Sequence, residues 1–210
     1  MFTDLNGRVC LVVGGGRIAE GRTRLLATYG AVLRLVTPEV SDGLADMVAQ
    51  GQVADFHQRA YEPDDLDGVF LVLAATDRRD VNQQIAENAR DRGILCNVAD
   101  NPRTSDVHIP ALVRRGDLTL AISTGGASPA VTARVRRALE GLFGPEWGEL
   151  LTLLGDLRHA TKERYPDPGA RAAAVRGLLD DGCVMDLLRA GATERARQCA
   201  RTALDLEGAA

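Results

Sequence analysis

The feature that most limits how this chain can fold is an alternation of short apolar runs with helical stretches between Arg8 and Asp100. The runs are rich in β-branched residues and nearly continuous, which is typical of parallel strands covered by helices on both faces. They predict strands at residues 9–13, 32–36, 53–56, 69–74 and 94–98, with helices beginning at Ala19, Ser41 and Asp80. The first half of the chain is therefore expected to be an α/β domain with a parallel sheet.

A different pattern follows Pro102. Two apolar runs, residues 107–113 and 118–122, flank a polar turn and predict an antiparallel hairpin. Ser128-Pro129 supplies a cap and a first-turn proline for a helix, and Gly144-Pro145 ends that helix. Further helical stretches are expected near residues 147–165, 169–180 and 193–206. We expect the second half to be a small α+β region followed by helices.

Charge and cysteine usage exclude several classes of protein. The formal net charge of -4 gives no bulk attraction to nucleic acid or to an anionic membrane. No apolar run approaches the roughly 20 residues of a spanning helix, and the N-terminal sequence MFTDLNGRV lacks the features of a signal peptide. The four cysteines are far apart, without the spacing of a structural zinc site. We expect a cytoplasmic protein with free thiols, no metal site, and no nucleic-acid or membrane partner.

A glycine-rich turn follows the first predicted strand. The sequence from Gly14 to Ala19, GGGRIA, has the GxGxxA pattern and leads into the first helix. Gly14 allows a tight turn, Gly16 lets the backbone approach a pyrophosphate, and Ala19 lets the helix lie close to the sheet. The turn, with Arg17 and Ile18 in it, predicts a dinucleotide site at the helix N-terminus of a Rossmann-like domain.

The residues after the second and fourth strands complete the predicted cofactor site. Thr37-Pro38 stands where an acidic residue commonly binds the adenosine ribose, and no arginine is present there for a 2′-phosphate. NAD is therefore preferred over NADP, but the sequence does not decide between them. Ala75-Thr76-Asp77 follows the fourth strand and is expected to line the crevice. The alternative is that Asp77 only caps the next helix.

Four segments in order, VVGGGRIA, LAATDRRDVN, NVADNP and HIPALVRRGDLTLAISTGGASPAV, resemble the precorrin-2 dehydrogenases and the matching half of siroheme synthase. The resemblance covers nearly the whole chain, and NVADNP and STGGASP are its most specific parts. It implies a homodimer with an NAD-binding domain at residues 1–103, a dimerisation and substrate region at 104–145 and a helical domain at 146–210. It also implies NAD-dependent oxidation of precorrin-2 to sirohydrochlorin in siroheme biosynthesis, and in some members insertion of Fe²⁺ at the same site.

The resemblance assigns roles to several residues. Asp100 matches an aspartate that the family is thought to use as general base, and it follows the fifth strand, where a proton acceptor is expected in such a sheet. The alternative is a turn aspartate. Ser128 matches a serine that borders the tetrapyrrole cavity, although a helix cap explains it equally well. The loop of Ser123, Thr124, Gly125 and Gly126 is expected to offer backbone amides to a substrate carboxylate.

Precorrin-2 is a polycarboxylate, so its site needs cationic donors. The candidates include Arg134, together with Arg103, Arg114, Arg115 and Arg137, each of which is alternatively a solvated surface charge. His108 is a further candidate because an imidazole there can take up protons or approach iron. The alternative for His108 is a half-exposed strand residue.

Two other functions remain open from the sequence. One is a dinucleotide-sensing regulatory module, which would need no catalytic carboxylate. The other is a dehydrogenase that also inserts iron, which the sequence does not decide because the tetrapyrrole itself supplies four nitrogen ligands. Nothing after Thr193 is long enough to form another α/β domain, so we expect methylation of the tetrapyrrole precursor to be carried out by another protein.

Overall fold

The computed structural model describes residues 2–206 and divides the chain after Ile109 into two compact units. The first unit contains a five-stranded parallel sheet in the order β3-β2-β1-β4-β5. Its elements are β1 Val9–Val13, α1 Arg17–Thr28, β2 Val32–Val36, α2 Asp42–Ala49, β3 Asp55–His57, β4 Leu71–Ala74, α3 Arg79–Asp91 and β5 Leu95–Val98, with 3₁₀ turns at Pro63–Leu66 and Pro102–Thr104. The predicted Rossmann-like sheet is confirmed.

The central strands β1 and β4 are buried on both faces, since their successive side chains point to opposite sides of the sheet and both sides are covered. Leu11 and Val13 pack with the cluster that covers one face, and Cys10 and Val12 pack with the cluster on the other. Ala19 is fully buried against this second face, which places the start of α1 close to the sheet. The strand order reverses at β1, so a crevice opens beyond the carboxyl ends of β1 and β4.

The second unit begins with an antiparallel hairpin and continues as helices. Its elements are β6 Ala111–Arg115, β7 Leu118–Ile122, α4 Pro129–Leu142, α5 Glu146–Asp156, α6 Arg158–Arg164, α7 Pro168–Asp181, α8 Cys183–Arg189 and α9 Thr193–Ala203. Leucines of α5, α7 and α8 pack with Ala196 and Ala200 of α9 to form one core. The division of this half at residue 145 stays a prediction.

Three expectations about local structure were wrong. The hairpin begins at Ala111 rather than at residue 107, because Val107 and Ile109 pack against the parallel sheet and the Asn97 side chain donates to the carbonyl of Val107. His108 is consequently exposed outside any strand. The stretch at 147–165 is two helices rather than one.

The seven-residue helix α8 was not predicted at all. It lies between Gly182 and Gly191, both of which have a left-handed backbone. A helix of two turns is too short for its apolar period to be recognised. Among residues 2–206, no helix has the length and apolar character needed to cross a bilayer.

Candidate functional site

The three glycines after β1 differ in what surrounds them. Gly14 has φ 123°, and a Cβ there would lie 2.4 Å from the Ala75 carbonyl oxygen, so the ends of β1 and β4 approach as only glycine permits. A Cβ on Gly15 would lie 1.6 Å from the Glu39 carbonyl oxygen. A Cβ on Gly16, by contrast, would meet no described atom within 4 Å. The turn is therefore closed at Gly14 and Gly15 and open at Gly16.

The N-terminus of α1 opens into this space. Gly16 is its N-cap, and no side chain of the described residues caps it, whereas Ser41 caps α2 through a bond from the Leu44 amide. The first amides of α1 are thus available for an anion, which the helix dipole also favours. Arg17 and Ile18 lie at this end and are exposed, Ile18 by 58%.

The turn after β2 is held by its own hydrogen bonds. Thr37 is buried, its hydroxyl donates to the Glu39 carbonyl at 2.7 Å, and its amide donates to the His57 carbonyl. Pro38 and Glu39 are exposed beside it. The Glu20 carboxylate of α1 accepts a hydrogen bond from the Ser41 hydroxyl at 2.7 Å, which together with Arg24 lowers the pKa of Glu20. The first two helices are thereby tied together.

Asn82 organises the other side of the crevice. It is 1% exposed, and its Oδ1 accepts hydrogen bonds from the Thr76 amide at 3.1 Å and the Thr76 hydroxyl at 2.7 Å. Its Nδ2 donates to the Thr76 carbonyl at 3.0 Å and to Oδ1 of Asp100 at 3.4 Å. One buried amide therefore joins the residues that follow β4 to the carboxylate that follows β5.

Asp100 is available to a ligand in this position. Its side chain is 43% exposed, and its second carboxylate oxygen lies 3.5 Å from Nε of Arg79. The neighbouring Asn101, not Asp100, makes the capping bond of the following turn, to the Arg103 amide. The alternative in which Asp77 caps α3 was wrong, because Arg78 is the N-cap of that helix and its amide donates to the Thr76 hydroxyl.

In the second unit, the loop before α4 is tightly self-bonded. The Ser128 hydroxyl accepts from the Val131 amide at 3.3 Å, so the predicted helix cap is confirmed. The Thr124 and Thr132 hydroxyls lie 3.0 Å apart, and the Ser123 hydroxyl accepts from the Gly125 amide. Gly125 and Gly126 both have left-handed backbones, with φ 61° and 82°.

The candidate arginines divide into two kinds. Arg115 is structural, because its guanidinium donates to the carbonyls of Phe143 at 2.8 Å and Glu140 at 3.1 Å and so fastens the hairpin to the end of α4. The others are exposed, which leaves them accessible to a polycarboxylate: Arg103, Arg114, Arg134 and Arg137.

Comparisons with known proteins agree with this arrangement. A family model described as NAD(P)-binding matches residues 1–111, a sirohaem biosynthesis protein central model matches 115–142, and a sirohaem synthase dimerisation region matches 146–204. The chain belongs to this NAD(P)-binding family, whose model covers more than half of it, and most of the rest of the chain matches the two sirohaem models. The predicted resemblance is thereby confirmed.

Individual relatives extend this assignment. The siroheme synthase of Pseudomonas fluorescens is 38% identical over 198 residues, covering 94% of this chain and 42% of that protein. That of Chromobacterium violaceum is 36% identical over 213 residues, covering 100% of this chain and 45% of that protein. This chain thus spans less than half the length of these two relatives. A solved structure titled SirC, precorrin-2 dehydrogenase, is 28% identical with TM-score 0.77, covering 96% of this chain and 98% of that one.

The residues of the first unit fit the dinucleotide that the family implies. The open space at Gly16 and the uncapped α1 suit a pyrophosphate, and the Thr76–Asn82–Asp100 group lies across the switch point. The roles of Gly15 and Asn82 were not predicted from the sequence. Asn82 shares a helix face with Ile85, Ala86 and Ala89, and a polar residue at a core spacing is the pattern that would have indicated it.

Proposed function

We propose that this chain catalyses the NAD-dependent oxidation of precorrin-2 to sirohydrochlorin in siroheme biosynthesis. The observation that carries the proposal is the Asp100 carboxylate, accessible after β5 and held by the amide that also fixes Thr76. The titled activity of SirC, whose chain is matched almost throughout, supports the same reaction.

Different residues of the first unit are proposed to bind different parts of NAD. The amides at the start of α1 bind the pyrophosphate, with Gly16 leaving room for it and Arg17 and Ile18 flanking it. Thr37 and Pro38 form the wall on the ribose side, and Ala75, Thr76 and Asp77 line the nicotinamide side. When bound, NAD supplies the hydride acceptor.

Asp100 acts as general base in this proposal. Oxidation removes a hydride from one carbon and a proton from its neighbour, and a new double bond forms between them. Asp100 takes up that proton, since a carboxylate at the end of a strand facing the crevice is placed to do so. Asn82 is a positioning residue, because its Nδ2 donates to one oxygen of Asp100. The other oxygen, which lies near the exposed Arg79 side chain, is the one proposed to meet the substrate.

The second unit is proposed to bind substrate carboxylates. The donors are the Gly126 amide, the Ser123 and Thr124 hydroxyls and the exposed Arg134 guanidinium, while Gly125 shapes the loop through its bond to Ser123. The exposed His108 imidazole, near the end of the first unit, is a further proposed donor. Ser128 contributes by fixing the first turn of α4 rather than through a free hydroxyl.

A homodimer is part of the proposal. The exposed side chains of Val131, Val135, Ala138 and Leu142 recur at a helical spacing and form an apolar stripe along α4. The sirohaem synthase dimerisation region matches the following helices. Light scattering after gel filtration should show two chains per particle.

The decisive assay is anaerobic incubation with enzymatically made precorrin-2 and NAD, followed by sirohydrochlorin absorbance. Turnover that requires NAD supports the proposal, and an arm with NADP tests cofactor preference. An arm with Fe²⁺ tests iron insertion, which stays a prediction, as does a cytoplasmic location. Measurable NAD binding without turnover would refute the dehydrogenase and favour a dinucleotide sensor.

A further inference from the structure

Three metal-binding side chains of the second unit converge although they are far apart in the sequence. Asp181 is the last residue of α7, Cys183 is the first residue of α8, and Cys199 lies in α9. One carboxylate oxygen and the two sulfur atoms all lie within 4.8 Å of one another. Three ligand atoms at such separations can reach one ion without rearrangement of the backbone.

The fold holds these three residues in place. Gly182, with φ 74°, ends α7 in a left-handed conformation and sets Asp181 and Cys183 on either side of a sharp turn. Val184 and Leu188 of α8 are buried in the same core as Ala200 of α9, the residue next to Cys199. The separation of the two thiols is therefore fixed by helix packing rather than by flexible chain.

Cysteine sulfur atoms bind metal ions as thiolates. A metal ion displaces the thiol protons, because a coordinated thiol is deprotonated outright. The two sulfur atoms of this cluster can therefore act as anionic ligands once an ion is bound.

We propose that Asp181, Cys183 and Cys199 form a binding site for a thiophilic divalent metal ion of the Zn²⁺ type. Two thiolates and one carboxylate supply three ligands of a tetrahedral site, and water supplies the fourth. Thiolates select such ions over Mg²⁺ and Ca²⁺, which prefer oxygen ligands. Two of the three ligands, Asp181 and Cys199, line a shallow cavity that is open to solvent. An ion bound there would join α7, α8 and α9.

Titration of the reduced full-length protein with Co²⁺ tests the proposal. We expect a thiolate-to-cobalt charge-transfer band that saturates at one ion per chain and is displaced by Zn²⁺. Cys183→Ser and Cys199→Ser should each weaken binding at least tenfold, and Asp181→Asn should weaken it less. Asp180→Asn is the matched control, because that exposed neighbour is outside the cluster and should leave binding unchanged.

A second measurement needs no variant. Alkylation of the wild-type protein, mapped by mass spectrometry, should be slowed by Zn²⁺ at Cys183 and Cys199 but not at Cys10 or Cys96, which lie in the other unit. Absence of a saturable cobalt band, or a band that survives the double substitution of Cys183 and Cys199, would overturn the proposal. So would alkylation of these two thiols at the same rate with and without Zn²⁺.

Discussion

Replacing Gly15 by alanine should destabilise the first unit. The new Cβ would lie 1.6 Å from the Glu39 carbonyl oxygen and 2.7 Å from the Thr37 hydroxyl. Backbone on one side of this contact must move by more than an ångström, which disturbs the bond from the Ser41 amide to the Gly15 carbonyl at 2.8 Å. Overpacking costs about 1–3 kcal/mol, and a weakened hydrogen bond adds about 1 kcal/mol. The free energy of unfolding should fall by about 2–4 kcal/mol.

Gly16→Ala is the matched control, because it adds the same methyl group one residue later. No described atom lies within 4 Å of that Cβ, and φ at Gly16 is -85°. Stability should therefore change by less than about 1 kcal/mol, the loss of a favourable N-cap being offset by the reduced freedom of the unfolded chain. NAD affinity should fall about tenfold or more, because the methyl group occupies the space left for the pyrophosphate.

Urea unfolding followed by circular dichroism measures the first effect, and isothermal titration with NAD measures the second. We expect the two substitutions to affect different properties. Gly15→Ala should mainly lower the urea midpoint, and Gly16→Ala should mainly lower the affinity for NAD. If Gly15→Ala unfolds at the wild-type midpoint, the description of a closed turn is incorrect. If Gly16→Ala binds NAD as tightly as the wild type, the pyrophosphate does not lie at this turn.

Three further predictions concern the first unit. Gly21→Ala should raise the free energy of unfolding by about 0.5–1 kcal/mol in the same urea assay, because its Cβ would meet nothing within 4 Å in a helix; a loss of stability would contradict this. Asn82→Asp keeps the acceptor for Thr76 but places a second negative charge beside Asp100, so the acidic limb of the kcat/KM profile should move to higher pH; an unshifted profile would show that Asn82 has only a structural role. Burial raises the pKa of Asp65, but hydrogen bonds from Arg59 and the Glu62 amide outweigh it and leave that pKa lowered. Because the pKa of Asp65 is lower in the folded protein, its bonds to Arg59 and the Glu62 amide stabilise the fold at pH values above the unfolded-state pKa near 4, and this stabilisation is lost as the pH falls below that pKa. Asp65→Asn should therefore make acid unfolding less steep.

The sequence predicted those parts of the molecule that depend on local pattern. The five strands and the helices between them follow from the alternation of apolar and helical stretches, although β3 is only partly buried. Gly14 and Ala19 have the roles that the glycine pattern implies. The cap at Ser128 was predictable for the same reason, since it depends on residues only three positions apart.

What the sequence did not predict depends on contacts between distant residues. Asn82 meets Asp100 only because α3 returns the chain to β5 beside β4, and Cys183 meets Cys199 only through the packing of α8 on α9. The start of the hairpin was misplaced because Val107 has a strand-like sequence but packs against the parallel sheet of its own unit, the first. Apolar periodicity alone does not show which distant residues come into contact in the fold.

The most direct test of the central claim is the rate of sirohydrochlorin formation by Asp100→Asn with precorrin-2 and NAD. The substitution keeps the size of the side chain and removes the proton acceptor, so kcat should fall about 100-fold or more while NAD affinity and the urea midpoint stay near their wild-type values. Asp91→Asn, an exposed substitution at the end of α3, is the control and should leave kcat unchanged. Turnover by Asp100→Asn at the wild-type rate would contradict the account, because the reaction would then not depend on the carboxylate that Asn82 holds at the crevice.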